Sequence, residues 1–147
     1  MSDTIIDPPW QNLPENLDKD AHYAFVYLIT NTVTGKKYIG KKQFWSRIKR
    51  KPLKGKKRNR IDHVKSDYET YYGSSNKLKE DIEKYGKQSF TRQILAICGS
   101  KWEVAYAELY YQMKENVIFR DDYYNEIINV RLNNPPKNVD LSSKYSM

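Results

Sequence analysis

The chain lacks what a disulfide scaffold, a membrane span or a familiar cofactor site would need. It carries one cysteine, Cys98, among 147 residues. A lone cysteine can neither close an intrachain disulfide nor complete a cysteine-rich zinc site, so a reducing, cytoplasmic setting is expected. No apolar run approaches the length of a bilayer span, and the N-terminal MSDTIIDPPW has no basic stretch leading into an apolar one, so no membrane association is expected. The two histidines, His22 and His63, have no ligand-like spacing. No glycine loop of the P-loop or Rossmann kind is present, and no nucleophile elbow. Lys41 to Arg60 contains no acid.

That stretch, KKQFWSRIKRKPLKGKKRNR, holds eleven of the 26 basic residues. The net charge is +8, yet outside this stretch the 18 acids outnumber the remaining Lys and Arg. Basicity is therefore one local feature, and a polyanion such as nucleic acid is its natural partner. A solvated lysine-rich loop or a contact with an anionic membrane explains a charge run equally simply. The composition is otherwise that of one globular domain, 39% hydrophobic and 14% aromatic, with 13 tyrosines.

Residues 1–20, rich in Pro, Asn and Asp, read as an irregular N-terminal arm. FVYLITNTVTGKKYIG predicts a hairpin, with a strand from Tyr23 to Thr30 and a second through Ile39 around a turn containing Asn31 and Gly35. Residues 49–60, broken by Pro52 and Gly55, read as a basic loop. IDHVKSDYETYYGSS has no clear period and is read as helical in part. A helix is expected from Asn76 to Tyr85, capped by Ser75 and stopped at Gly86, with Leu78, Ile82 and Tyr85 on one face. Ser89 to Cys98 is a third strand, and Ser100 with Glu103 forms a capping box that opens a second helix to about Asn116. Residues 133–147 read as a flexible tail. The order implies an α+β domain, with a small, mainly antiparallel three-stranded sheet flanked by helices.

Few residues suggest chemistry on their own. Glu108 lies mid-helix among Val104, Ala105, Tyr111 and Gln112. Such a carboxylate reaches solvent, pairs with a cation or binds a metal; the first is the commonest outcome. Tyr27 and Tyr38, taken singly, are ordinary strand residues. An even loop such as Asn31 to Thr34 makes them direct cross-strand partners on one face, whereas a five-residue loop separates them. Trp45 in QFWSR either stacks on a base or anchors the basic segment to the core, and the anchor is the simpler reading.

Taken in order, these pieces resemble the GIY-YIG nuclease family. Phe25-Val26-Tyr27 stands where the family has Gly-Ile-Tyr, and Tyr38-Ile39-Gly40 matches its second half in full. YYGSSNKLKEDIEKYGKQSFTRQIL is similar to the helix–strand passage of phage homing endonucleases of this family. Glu108 falls at the family's metal-binding glutamate and Asn125 at its asparagine. The similarity runs from about Tyr23 to Val130, and it frames residues 21–132 as the nuclease-like domain.

The resemblance implies a phage-type, divalent-metal-dependent endonuclease acting on double-stranded DNA, with Mg²⁺ or Mn²⁺ held by Glu108. It implies Tyr27 as general base or water-orienting group and Tyr38 as a phosphate- or water-orienting group. Asn125 would position the site, and Arg47 or a neighbouring lysine would clamp the phosphate. Phe25 departs from the usual glycine, and the arginine's place is loosely matched. Lys41, Lys42, Arg50, Lys54, Lys56, Lys57, Arg58 and Arg60 are the expected DNA contacts. Many homing enzymes of the family carry a further DNA-binding region, and none is expected here. A non-catalytic nucleic-acid-binding module that kept the fold is the alternative; binding alone would not need Tyr27, Tyr38 and Glu108 together.

Overall fold

The computed structural model describes residues 7–137, 139, 141, 144 and 145; the start of the expected arm and several tail positions lie outside them. Its strands are β1 (Trp10–Gln11), β2 (Ala24–Asn31), β3 (Lys37–Gln43), β4 (Trp45–Arg50), β5 (Arg60–Lys65) and β6 (Phe90–Cys98), and its helices α1 (Asn76–Tyr85) and α2 (Lys101–Lys114). The main sheet runs β1-β6-β2-β3, antiparallel except for the parallel β1–β6 edge. It has four strands rather than the expected three. The extra one comes from the arm, where Trp10 is 6% exposed and its indole N–H donates to the Tyr68 carbonyl at 2.7 Å. Burial of one large aromatic side chain orders a segment whose local composition favours coil.

Strand alternation sorts β2 onto two cores. Phe25, Tyr27 and Ile29 face one side, with Phe44, Leu78 of α1 and Phe90. Ala24 and Val26 face the other, with Val104, Ala107 and Tyr110 of α2. Both helix caps form as their sequences predict: Ser75 Oγ accepts from Leu78 N at 3.3 Å, and Ser100 Oγ from Glu103 N at 3.1 Å. Gly86 closes α1 at φ +85°.

The basic segment is not one loop. Lys49, Arg50 and Arg60 lie in the strands of a second, two-stranded sheet, β4–β5, which leaves only 51–59 as its tip. The stretch read as helical in part supplies β5, followed by a single 3₁₀ turn at Tyr68–Thr70. Ribbon pairing with β4 overrides the weak local preference of that segment. Trp45 anchors the ribbon's base, since its indole N–H donates to the His22 carbonyl at 2.8 Å.

Candidate active site

The outer edge of β3 carries the site. The turn before it is set by Asn31, whose Oδ1 accepts from Val33 N and Thr34 N at 3.0 and 3.3 Å, and by Gly35 at φ +81°. Thr30 then pairs with Lys37, and Tyr27 pairs with Gly40. Tyr27 and Tyr38 are therefore diagonal neighbours on one face, not direct partners, with ring centroids 6.1 Å apart.

This register explains the glycine of the Tyr-Ile-Gly triplet. A Cβ on Gly40 would overlap the Tyr27 hydroxyl, lie 2.7 Å from its Cζ and 3.0 Å from the Tyr38 ring. Gly73, at φ +92°, also approaches the phenols; a Cβ there would lie 3.2 Å from both the Tyr27 hydroxyl and the Tyr38 ring. Both glycines thus leave room for the two rings. Tyr38 Oη is hydrogen-bonded with Ser74 Oγ at 3.2 Å. Tyr27 packs edge-on against Tyr71, centroids 5.9 Å apart.

The segment after α2 runs along the free edge of β3. Lys37 N–H donates to the Asp122 carbonyl at 2.9 Å, and Tyr124 N–H donates to the Lys37 carbonyl at 2.7 Å. Asn125 completes the edge with its side chain. Its Oδ1 accepts from Ile39 N at 3.0 Å and its Nδ2 donates to Ile39 O at 2.8 Å, so one amide does the work of a neighbouring strand. Tyr124, beside it, donates to Asp81 of α1 at 2.6 Å and accepts from Asn31 Nδ2 at 3.1 Å.

A cleft of about 760 Å³ opens at this edge. Tyr27, Tyr38, Lys41, Glu108 and Asn125 all line it, together with Tyr71, the start of α1 at Ser75–Lys77, and Gln112. The phenols come from one face of the sheet and Glu108 from the helix on the other, and they meet across the edge strand. Glu108 Oε1 lies 4.0 Å from Lys41 Nζ. Burial raises the carboxyl above the ordinary glutamate range, and Lys41 offsets this only in part. Burial likewise pushes Tyr27 well above, and Tyr38 above, the usual phenol value, with the charge of Glu108 a smaller contributor to both. Both are neutral hydroxyls in the free protein.

The other expected residues lie apart. Arg47 is exposed on β4 and does not line the cleft. Lys42 is engaged by Asp67 at 2.6 Å and lies over the Tyr71 ring at 4.3 Å; Arg50 pairs with Asp62 at 3.0 Å. Arg60 Nε donates to the Lys51 carbonyl at 3.2 Å. Lys54, Lys56, Lys57 and Arg58 are exposed at the ribbon tip. Sequence reading passed over Tyr71, Gly73, Ser74 and Gln112. Gln112 was the most accessible of these, being one helical turn after Glu108 and so on the same face.

A family model described as "Putative endonuclease segE, GIY-YIG domain" matches residues 10–128. The chain belongs to the GIY-YIG family. The GIY-YIG match covers both tyrosine strands, α1, Glu108 and Asn125. A curated relative, "Putative endonuclease segE" of Enterobacteria phage T4, is 31% identical over 109 residues, which cover 70% of this chain and 40% of the relative. The chain thus spans less than half the length of that relative. No solved structure matches the chain. Among the described residues, no helix is long and apolar enough to cross a membrane.

The donor set at the cleft suits one hard divalent cation. No group of three or more His, Cys, Asp or Glu that could hold a metal occurs among the described residues. Two carboxylates line the cleft: Glu108, 12% exposed, and Glu126, which is paired with Lys77 at 2.6 Å. Mg²⁺ at a phosphate needs no more than one or two protein carboxylates, the substrate's oxygens and water. Gln112 Oε1, in the cleft wall, has no hydrogen-bond partner among the described residues. The residues present fit such an ion.

Proposed function

We propose that this GIY-YIG domain hydrolyses phosphodiester bonds of double-stranded DNA, as a phage-type endonuclease of the homing class. The observation that carries the reading is the meeting of Tyr27, Tyr38, Lys41 and Glu108 at one cleft, although they come from opposite faces of the sheet. Packing alone has no need to bring a desolvated carboxylate to two phenols that share its field.

Glu108 is the residue that would hold Mg²⁺ or Mn²⁺. When bound there, the ion supplies positive charge that polarises the scissile phosphate, stabilises the leaving 3′ oxygen and cancels the share of the phenol shifts that Glu108 imposes. Tyr27, closely approached by Gly40 and Gly73, presents its hydroxyl in one orientation and aligns the attacking water. Tyr38, steadied by Ser74, hydrogen-bonds a non-bridging phosphate oxygen. Lys41, the cleft lysine beside Glu108, acts on the phosphate, a place Arg47 does not reach from β4, whereas Lys77 is engaged by Glu126 at 2.6 Å. Asn125 acts through Ile39, fixing the strand between Tyr38 and Gly40. Lys54, Lys56, Lys57 and Arg58 hold the duplex by its backbone.

The test is nicking of supercoiled plasmid with and without Mg²⁺, with Glu108→Ala alongside. Metal-dependent relaxation that the variant lacks supports the reading. Relaxation by both proteins alike, or by neither, refutes it.

A further inference from the structure

The β4–β5 ribbon offers more than charge. Its register pairs Trp45 with Lys65, Arg47 with His63, and Lys49 with Ile61, so these six side chains share one face. Arg47, Lys49, Ile61 and His63 are all exposed on it. Among the described residues, Arg47, Lys49 and His63 make no side-chain hydrogen bond or ion pair. The opposite face is different in kind: Arg50 is spent on Asp62, and Ile48 and Val64 are half-buried. The ribbon's base is held firmly. Phe44 is fully buried, Ser66 Oγ donates to the Gln43 carbonyl at 2.6 Å, and Trp45 is tied to His22.

We propose that this face enters the major groove of duplex DNA and reads base edges, with Arg47 as the principal reader. The inference rests on the DNA-nuclease reading and adds to it where the specificity lies. A two-stranded ribbon fits a major groove about 12 Å wide. Side chains two apart on a strand are separated by about 6.7 Å, close to two base-pair steps of about 3.4 Å each, so Arg47 and Lys49 can reach base pairs two steps apart. A free guanidinium fork matches O6 and N7 of guanine, and an exposed aliphatic such as Ile61 matches a thymine methyl. The acid-free face is complementary to the groove's surroundings, whereas the narrow major groove of duplex RNA excludes such a ribbon. Lys41 lines both the cleft and the hollow at the ribbon's base. Arg47 is at most about 20 Å along the chain from Lys41, so the bases read lie within about one duplex turn of the cleaved phosphate. The division of labour is then explicit: the tip grips phosphates, the stem reads sequence.

The experiment is enrichment of a random-core duplex library by the intact protein in EDTA, followed by competition between the enriched duplex and a scrambled one. Wild type is expected to enrich a short motif containing guanine, with N7-methylguanine interfering at that position. Replacing Arg47, Lys49, Ile61 and His63 with alanine is expected to lower the enriched-to-scrambled affinity ratio about tenfold or more, the discrimination of one good bidentate contact. Arg47→Lys keeps the charge but not the fork, so it should lose the guanine preference and keep the salt dependence. A tip variant, with Lys54, Lys56, Lys57 and Arg58 changed to serine, should weaken both duplexes alike. Circular dichroism establishes that each variant is folded. Failure of wild type to enrich any motif, an unchanged ratio in the stem variant, interference confined to the minor groove, or equal competition by duplex RNA would each overturn the proposal. Because no metal is present, the two readings separate. Enrichment without any cleavage in Mg²⁺ removes the nuclease and leaves the ribbon. Cleavage with an unaltered motif in the stem variant does the reverse.

Discussion

Lys41 Nζ stands 4.0 Å from Glu108 Oε1, with 44% of the lysine side chain exposed but only 12% of the glutamate. The pair is lopsided. The carboxylate has lost its water, and the half-exposed ammonium does not fully replace it, so the carboxyl stays raised. A stronger cation at the cleft would complete what Lys41 begins.

The acid limb of activity follows from this. With Glu108 as the proposed metal ligand, cleavage would require its ionised form and should be lost as pH falls through a value above the ordinary glutamate figure of about 4.3. A bound cation competes with the proton, so raising Mg²⁺ should shift that limb to lower pH. Rate profiles at two Mg²⁺ concentrations test this; a limb that ignores Mg²⁺ would separate Glu108 from the metal.

Glu108→Gln should abolish cleavage, leave DNA affinity in EDTA largely intact, and stabilise the fold at pH 7. The sign follows from the raised carboxyl. As pH rises, the unfolded chain loses its proton first, so wild type loses stability from the unfolded pKa up through the higher folded one. The variant has no such loss. Thermal melts should show a higher Tm for the variant at pH 7 and matching values near pH 3, where both side chains are neutral.

Gly40→Ala tests the close approach of this glycine to the phenols. The added methyl overlaps the Tyr27 hydroxyl and its next neighbours are ring carbons of Tyr27 and Tyr38, so a phenol must move. Overpacking of this kind costs roughly 1–3 kcal/mol. Turnover should fall by more than the stability loss explains, because the displaced group is the proposed water-orienting one. Tyr27→Phe should lower kcat sharply with the domain still folded, and equal turnover in Tyr27→Phe and wild type would dismiss the role.

Asn125→Ala should destabilise by roughly 1–3 kcal/mol, since it strips the buried Ile39 N–H of its partner. Asn125→Asp should be worse at pH 7, where a charged oxygen would face the Ile39 carbonyl, and should recover in part at pH 4. Urea unfolding at both pH values gives the comparison; equal losses at both would locate the damage elsewhere.

The serine variant of Lys54, Lys56, Lys57 and Arg58 should flatten the slope of log affinity against log salt by up to about 3–4 units if all four touch phosphate. Cleavage at saturating DNA should survive. A salt titration with an unchanged slope would show the tip to be a solvated bystander.

What could be read in advance followed short-range rules. The caps of α1 and α2 depend on a hydroxyl and an N–H three residues apart, and the β2–β3 hairpin on alternation and turn chemistry. Glu108 stood out because carboxylates rarely sit among apolar helix neighbours. Arg47 did not join the others at the cleft, because its place depends on a ribbon whose two strands are separated by an unpaired tip.

The sequence by itself determined the parts whose partners are a few residues away: the helices, the hairpin, the Tyr-Ile-Gly triplet and the acid-free segment. Only the tertiary structure decided which parts meet. Trp10 could become a strand only once β6 and Tyr68 were there to receive it. Asn125 could act as a strand only against the open edge of β3, 86 residues away. Glu108 could reach Lys41 and the field of two phenols only because α2 packs beside an edge strand, around which both faces are accessible. Contacts of that kind depend on chain closure over long separations, and no local period encodes them.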